Sequence, residues 1–260
     1  MDIITLPNSK VKLEERIQAG TITWKWPLIL VFARLIFAVL AQALVAGIFM
    51  LQGHATPWEA AAPWWPVYGT LLDIGCLVLL VRLARKEGIR LFDLVSFQRQ
   101  KLRRDLLLGV GFLVLLTILG VIGSIITGLL VYGSTPAPAI VVPLPLWGGL
   151  YSLLIWPIFW AIAEQMTYVG YALPRLEILS GKAWLAVIIV TFGWALQHSA
   201  LPLMWDWHWA VYRFGATLLI GFAISIMYFR IRRLLPLIIV HWAANFVSVL
   251  TFVVLPVMKS

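Results

Sequence analysis

The sequence predicts an all-α, polytopic transmembrane helical bundle, and its composition is the first observation that does so. Of the 260 residues, 62% are hydrophobic and only 12% are charged, with a mean hydropathy of +0.95. Soluble domains carry about 25% charged and 45–50% apolar residues. A soluble fold of this length could not bury so much apolar surface. The single cysteine, Cys76, lies in an apolar run and indicates neither a disulfide nor a metal site.

Long apolar runs are the second observation, because a membrane-spanning helix needs roughly 20 mostly apolar residues. They predict about seven spans, within a range of six to eight. The runs lie at residues 26–51, 66–84, 106–132, 146–173, 183–205, 211–229 and 234–258. The gaps between them are short. We therefore expect a cytoplasmic N-terminal segment at 1–25 and a single transmembrane domain at 26–258.

The distribution of basic residues is the third observation. The net charge is +9, and 17 of the 20 Lys and Arg lie before the first span, near the end of span two, or in the gaps after spans two, four and six. These regions share one side of the membrane, which the positive-inside rule makes the cytoplasmic side. We expect a multi-pass protein of a prokaryotic cell membrane with a cytoplasmic N-terminus. Its basic residues lie between spans, so its partners include membrane lipids and no nucleic acid.

Polar side chains inside the apolar spans indicate a functional site, because such groups are expensive in lipid. Spans four, five and seven carry the pairs Glu164 and Gln165, Gln197 and His198, and His241 and Asn245. His241 and Asn245 are four residues apart, so they lie on the same face of a helix. Spans one and two add Arg34, Gln42 and Asp73. The sequence leaves open whether Arg34 and Asp73 pair with each other, line a cavity or reach the membrane surface.

The polar residue types in spans four, five and seven suit the attack of water on a carbonyl group. A carboxylate in an apolar site can act as a general base, and a neighbouring imidazole can orient the water. A second imidazole and an amide can donate hydrogen bonds to a developing oxyanion. The sequence contains no G-x-S-x-G and no H-E-x-x-H motif. These observations indicate hydrolysis of an amide or an ester without a nucleophilic serine.

Three motifs on these spans resemble the CAAX-protease and bacteriocin-processing family, also called the CPBP or Abi family of intramembrane endopeptidases. The family patterns are E-E-x-x-x-R, usually followed by Gly, then F-x-x-x-H, then H-x-x-x-N or H-x-x-x-D. The corresponding segments here are Glu164-Gln165-Met166-Thr167-Tyr168-Val169-Gly170, Trp194-Ala195-Leu196-Gln197-His198 and His241-Trp242-Ala243-Ala244-Asn245. The resemblance covers about 146–254, which would be a catalytic core like that of type II CAAX prenyl proteases.

The resemblance implies roles for four catalytic residues. Glu164 would activate water with His198 as its partner, and His241 and Asn245 would stabilise the oxyanion. It implies a glutamate-dependent mechanism, so we expect no cofactor and no metal. Zinc held by Glu164, His198 and His241 is the chemical alternative. The substrate would be a peptide or membrane-protein segment that enters from the cytoplasmic side, with a prenylated C-terminus or a leader peptide as examples.

Two departures from the family pattern leave other functions open. Gln165 stands where the family has a second glutamate, and Val169 stands where it has arginine. Removing an acidic and a basic group together can leave a fold intact, but the change puts activity in doubt. One alternative is a catalytically impaired membrane protein that acts in immunity or binding. Another is a small transporter in which Asp73, Glu164 and the histidines relay protons.

Overall fold

The regular elements of the protein are helices, which confirms the predicted all-α fold. The computed structural model describes residues 6–135 and 144–251. The helices are α1 (Lys10–Gln18), α2 (Lys25–Leu51), α3 (Pro57–Ala61), α4 (Trp65–Lys86), α5 (Leu102–Tyr132), α6 (Leu146–Leu154), α7 (Trp156–Glu164), α8 (Leu173–Ser180), α9 (Ala183–Ser199), α10 (Trp207–Ile231) and α11 (Leu235–Val249). Short 3-10 turns connect α3 to α4 and α4 to α5, and a π-helical segment, Gln165–Ala172, joins α7 to α8.

The helices include enough long apolar stretches for a polytopic membrane bundle. Among the described residues, four stretches are long and apolar enough to cross a membrane: Lys25–Leu51, Pro57–Lys86, Leu91–Tyr132 and Trp207–Ile231. The pair Leu146–Leu154 and Trp156–Ser180, bent by 42°, makes a fifth span if it is counted as one. The shorter apolar helices α9 and α11 lie at predicted spans five and seven. By length and composition the described residues thus contain four or five spans, fewer than the seven that the sequence predicts, because α9 and α11 are shorter than a spanning helix requires.

One predicted span boundary differs from the structure, and a second is not tested by it. Span five was expected to continue to residue 205, but α9 ends at Ser199. The chain then turns, with Ala200 bridged to Leu203, and Pro202 between them has no N–H with which to continue a helix. The second boundary concerns span seven, where residues 252–258 lie outside the described part of the chain. So does most of the Pro-rich loop between spans three and four.

The bundle is apolar outside and packs closely inside, as α5 illustrates. Its outward side chains are large and aliphatic, such as Leu107 and Val110, while Gly109, Gly123 and Gly128 face the neighbouring helices. A Cβ atom on Gly123 would lie only 2.7 Å from the carbonyl oxygen of Ala216 in α10. Small residues at such positions let helix backbones approach closely, which is how helices associate in lipid.

One end of the bundle is closed by a buried ion-pair network that holds the N-terminal helix. The Arg175 guanidinium donates to both carboxylate oxygens of Glu87, at 2.9 and 2.5 Å, and Arg16 of α1 donates to the same carboxylate at 2.8 Å. The side-chain amide of Asn8 donates to the Gly170 carbonyl oxygen at 2.9 Å. The segment before α2 therefore packs directly against the π-helical segment that carries most of the first motif.

Glu87 is the shared acceptor in this network. Burial alone would raise the pKa of Glu87, but the hydrogen bonds and the positive charge of Arg175 outweigh burial and lower it from its ordinary value of 4.5. A carboxyl group with a lowered pKa in the folded state stabilises that state fully above its ordinary pKa. This contribution is lost as the pH falls through the lowered value.

We predict that Glu87→Gln destabilises the protein by about 3–5 kcal/mol at pH 7, because it leaves the buried Arg175 guanidinium, and the partly buried one of Arg16, without their carboxylate. Thermal unfolding in detergent micelles measures the loss. The difference between the wild type and the variant should shrink as the pH falls below 4.5. The matched control is Glu15→Gln, because the pair of Glu15 with Lys12 is exposed and contributes about 0–1 kcal/mol. Equal unfolding temperatures for the two variants would contradict the prediction.

Candidate active site

The first motif lies where the fourth predicted span changes its helical geometry. The chain bends at Ile155, because Pro157 in the first turn of α7 supplies no backbone donor. Glu164 is the last residue of α7, and the π-helical segment Gln165–Ala172 starts directly after it. π-helical turns are rare and often occur at functional sites. The motif residues from Glu164 to Gly170 are all buried here.

Glu164 lies beside a buried guanidinium from another helix. Its side chain is 1% exposed, and Oε2 lies 3.6 Å from Nη2 of Arg34 in α2. Nη1 of Arg34 donates to Oδ1 of Asp73 in α4 at 2.8 Å, and Nε donates to Oε1 of Gln197 in α9 at 2.7 Å. The indole of Trp160 lies 4.6 Å from the Arg34 guanidinium carbon. One guanidinium thus connects four helices around Glu164.

This arrangement resolves the open question about Arg34 and Asp73. Both side chains are completely buried and paired with each other, so neither reaches the membrane surface. Neither was among the predicted catalytic residues, although each was recognised as a charge in an apolar span. Gln197, which precedes the motif histidine His198, was likewise noted only as a polar residue.

His198 has a defined hydrogen-bond partner on its own helix. Its Nδ1 lies 2.8 Å from the carbonyl oxygen of Trp194. A carbonyl oxygen only accepts, so the ring proton lies on Nδ1 and Nε2 keeps a free lone pair. Arg213 of α10 donates to the backbone carbonyl oxygens of His198 and Leu201, at 3.4 and 3.2 Å. Arg213 was not among the polar residues that the sequence indicated, although it is a charged residue inside predicted span six.

His241 has the opposite tautomer. Its Nδ1 lies 3.0 Å from the side-chain amide nitrogen of Gln165. An amide nitrogen only donates, so Nδ1 of His241 accepts and the ring proton lies on Nε2. The first and third motifs are therefore joined by a direct hydrogen bond through Gln165, one of the two positions that depart from the family pattern. The site contains one imidazole with an acceptor Nε2 and one with a donor Nε2.

Trp194 lies between the two histidines. Its ring centroid is 5.7 Å from that of His198 and 6.1 Å from that of His241, both edge to face. Gly221 of α10 packs against this indole, and a Cβ atom there would lie 2.5 Å from its ring. The aromatic residue that begins the second motif thus sets the spacing of the two imidazoles.

Polar atoms without hydrogen-bond partners are concentrated at this site. In the described part of the chain, 11 buried side-chain nitrogen or oxygen atoms have no partner, and eight of them belong to the site. The eight are Arg34 Nη2, Asp73 Oδ2, Glu164 Oε1 and Oε2, Gln165 Oε1, Trp194 Nε1, Gln197 Nε2 and Asn245 Nδ2. Buried polar groups are almost always paired in folded proteins, so water or another polar group would complete the hydrogen bonds of this cluster.

The remaining predicted site residue, Asn245, lies one turn after His241 on α11 and is partly buried. Its amide nitrogen is one of the atoms without a partner. Within residues 6–135 and 144–251, no three His, Cys, Asp or Glu side chains form a group that could hold a metal ion.

The fold and the site define a class: a polytopic helical membrane protein with a polar site on several helices. Residues 145–247 match the family model described as type II CAAX prenyl endopeptidase Rce1-like. This segment contains Glu164, His198, His241 and Asn245, and the match confirms the resemblance that the three motifs indicated. No curated protein and no solved structure matches the chain. Arg34 and Asp73 lie outside the matched segment.

We predict that Gly221→Ala destabilises the bundle by about 1–3 kcal/mol, because the added methyl group overlaps the rigid indole of Trp194. Gly111→Ala is the matched control, since a Cβ atom there would meet nothing within 4 Å. The control should be neutral or slightly stabilising, because alanine favours a helix over glycine by about 1 kcal/mol. Reversible denaturation in mixed micelles measures both, and an equally stable Gly221→Ala protein would contradict the prediction.

Proposed function

We propose that the protein is an intramembrane endopeptidase that hydrolyses a peptide bond with water activated by Glu164. The observation that supports this most directly is the buried Glu164 carboxyl group, both of whose oxygens have no hydrogen-bond partner in the described residues. It lies in the segment that matches the Rce1-like endopeptidase model. The two histidines of the same segment present one acceptor and one donor nitrogen.

The proposed reaction assigns one step to each group. A Glu164 oxygen takes a proton from water while Nε2 of His198 accepts a hydrogen bond from the same water and orients it. The water oxygen bonds to the scissile carbonyl carbon, and the carbonyl oxygen becomes an oxyanion. Nε2–H of His241 and Nδ2–H of Asn245 donate to that oxyanion. The proton on Glu164 then passes to the leaving nitrogen as the C–N bond breaks, which gives a carboxylic acid and an amine. The second proton of the water remains on the acid until it passes to the amine, and the final products are a carboxylate and an ammonium group.

The substrate and the orientation are part of the same proposal. The matched family is described by its action on CAAX prenyl proteins, so a prenylated peptide ending in a CAAX sequence is the first substrate to test. A leader peptide or another membrane-protein segment is the second. Since 17 of the 20 Lys and Arg lie in regions predicted to share one side of the membrane, we assign the N-terminus, α1 and substrate entry to the cytoplasmic side.

The two departures from the motif favour a second candidate, a membrane protein of the same fold that binds a partner without cleaving it. One hydrogen bond in the structure argues against this non-catalytic candidate. Gln165 keeps a hydrogen bond to His241, so the change from a carboxylate to an amide at this position does not disconnect the motifs. The catalytic assignment therefore stands as the principal proposal, and the Glu164 variant described next separates the two candidates.

We predict that Glu164→Gln lowers the cleavage rate of a farnesylated CAAX peptide by about 10²–10⁴-fold, because an amide cannot accept the water proton. The purified protein in proteoliposomes is incubated with the peptide, and the released tripeptide is measured by mass spectrometry. Glu59→Gln is the control, since Glu59 is exposed at the other end of the bundle. Cleavage that persists in Glu164→Gln would refute the glutamate mechanism. A folded wild type that cleaves neither CAAX nor leader peptides would support the binding candidate.

We also predict that cleavage does not need an added or resident metal ion. Dialysis against a zinc chelator should leave the rate unchanged within a factor of about two, since the proposed steps use only general-base and hydrogen-bond catalysis. Elemental analysis of the dialysed protein verifies that metal has been removed. Loss of activity that returns on adding Zn²⁺ would instead favour the zinc alternative with Glu164, His198 and His241.

A further inference from the structure

Arg34 differs from three other ion-paired arginines in the way its guanidinium is used. Arg175 donates two hydrogen bonds to Glu87, Arg232 donates two to Glu177, and Arg233 donates two to Asp105. Each of these is a two-bond pair of the kind that joins secondary-structure elements. Arg34 instead gives a single hydrogen bond to Asp73 and leaves Asp73 Oδ2 without a partner.

The remaining nitrogens of Arg34 point to the two catalytic motifs. Nε donates to Gln197, the residue before His198, and Nη2 lies 3.6 Å from Glu164 with no hydrogen bond of its own. Arg34 also interacts electrostatically with both histidine rings. The guanidinium is therefore held by Asp73 and Gln197 with one arm directed at Glu164.

Nη2 of Arg34 lies beside Glu164, in a motif that lacks two of the charged residues of the family pattern. Val169 replaces the motif arginine, and its side chain belongs to the apolar core. Gln165 replaces the second glutamate. The first motif thus supplies neither a second carboxylate nor a guanidinium for Glu164. Arg34 of α2 brings a guanidinium to the Glu164 carboxyl group, and Asp73 of α4 brings a second carboxylate to the other side of that guanidinium. Both residues lie outside the matched segment.

We infer that Arg34 is a positioning residue for Glu164 and that Asp73 is its anchor, an inference that rests on the proposed endopeptidase function. Arg34 holds the Glu164 carboxyl group in the orientation in which it takes the water proton, and Asp73 with Gln197 fixes Arg34. A guanidinium can contact three partners at once because its donors form a planar fork, whereas a lysine ammonium cannot reproduce that geometry.

The test uses a double variant that removes the buried pair as a unit. Arg34→Met/Asp73→Asn leaves no uncompensated charge from this pair, and removal of a whole buried pair can be nearly neutral for folding. We expect an unfolding temperature close to that of the wild type. We expect kcat for the farnesylated CAAX peptide to fall by about 10²-fold, because a misplaced catalytic group loses rate of this order. KM should stay unchanged, since the peptide is not a partner of Arg34.

The conservative variant Arg34→Lys keeps the positive charge. It tests the positioning role of Arg34 if the double variant does not fold. It should lower kcat at constant KM, because a single ammonium group cannot hold Asp73, Gln197 and Glu164 together. The matched control is Arg232→Met/Glu177→Gln, which removes an ion pair at the end of the bundle. This control should leave kcat unchanged and should alter the unfolding temperature only slightly, because the pair is partly exposed.

The outcomes separate this inference from the function on which it rests. If Glu164→Gln cleaves normally, the proposed function fails and takes the inference with it. If Glu164→Gln is inactive while Arg34→Lys, or a folded Arg34→Met/Asp73→Asn, keeps the wild-type kcat, the function stands and the positioning role is wrong. A lower kcat at constant KM in Arg34→Lys, with the control pair unaffected, supports the inference.

Discussion

The ion-pair cluster around Arg34 is the interaction on which the rest of the site depends. In lipid, no external water compensates a charge, so a charged side chain must find its partners inside the bundle. Arg34 finds them on three other helices, at Asp73, Glu164 and Gln197. Removing one member of a buried pair destabilises a protein by about 3–5 kcal/mol. The cluster therefore fixes the relative positions of α2, α4, α7 and α9 as well as the surroundings of Glu164.

Close backbone packing makes this cluster geometrically possible. Gly193 of α9 faces Val31 of α2, where an added Cβ atom would lie 2.9 Å from the Val31 carbonyl oxygen. The Tyr168 hydroxyl lies 3.2 Å from that oxygen and 3.3 Å from the Gly193 carbonyl oxygen. Arg34 follows Val31 by one turn. Because α2 and α9 approach this closely, a side chain from α2 can reach both Gln197 and Glu164.

The sequence predicts the helical membrane class and the family resemblance correctly, because apolar runs and short motifs are local properties. Apolar runs and the order of the three motifs identify the helices and the positions of Glu164, His198 and His241. Three features of the structure could not be predicted from the sequence. The partner of Arg34 depends on which helices become neighbours, and the π-helical geometry after Glu164 reflects a shift of backbone hydrogen bonds with no residue signature. The early end of α9 depends on the turn that contains Pro202.

The cluster around Arg34 bears on the two departures in the first motif, Gln165 and Val169. The family pattern places two carboxyl groups and one guanidinium on a single helix. This chain retains Glu164 but has Gln165 and Val169, so its first motif keeps one carboxyl group. Asp73 and Arg34 supply a carboxyl group and a guanidinium from α4 and α2, so the cluster that includes Glu164 again holds two carboxyl groups and one guanidinium. If Arg34 positions Glu164 as we propose, the working site extends beyond the matched segment 145–247.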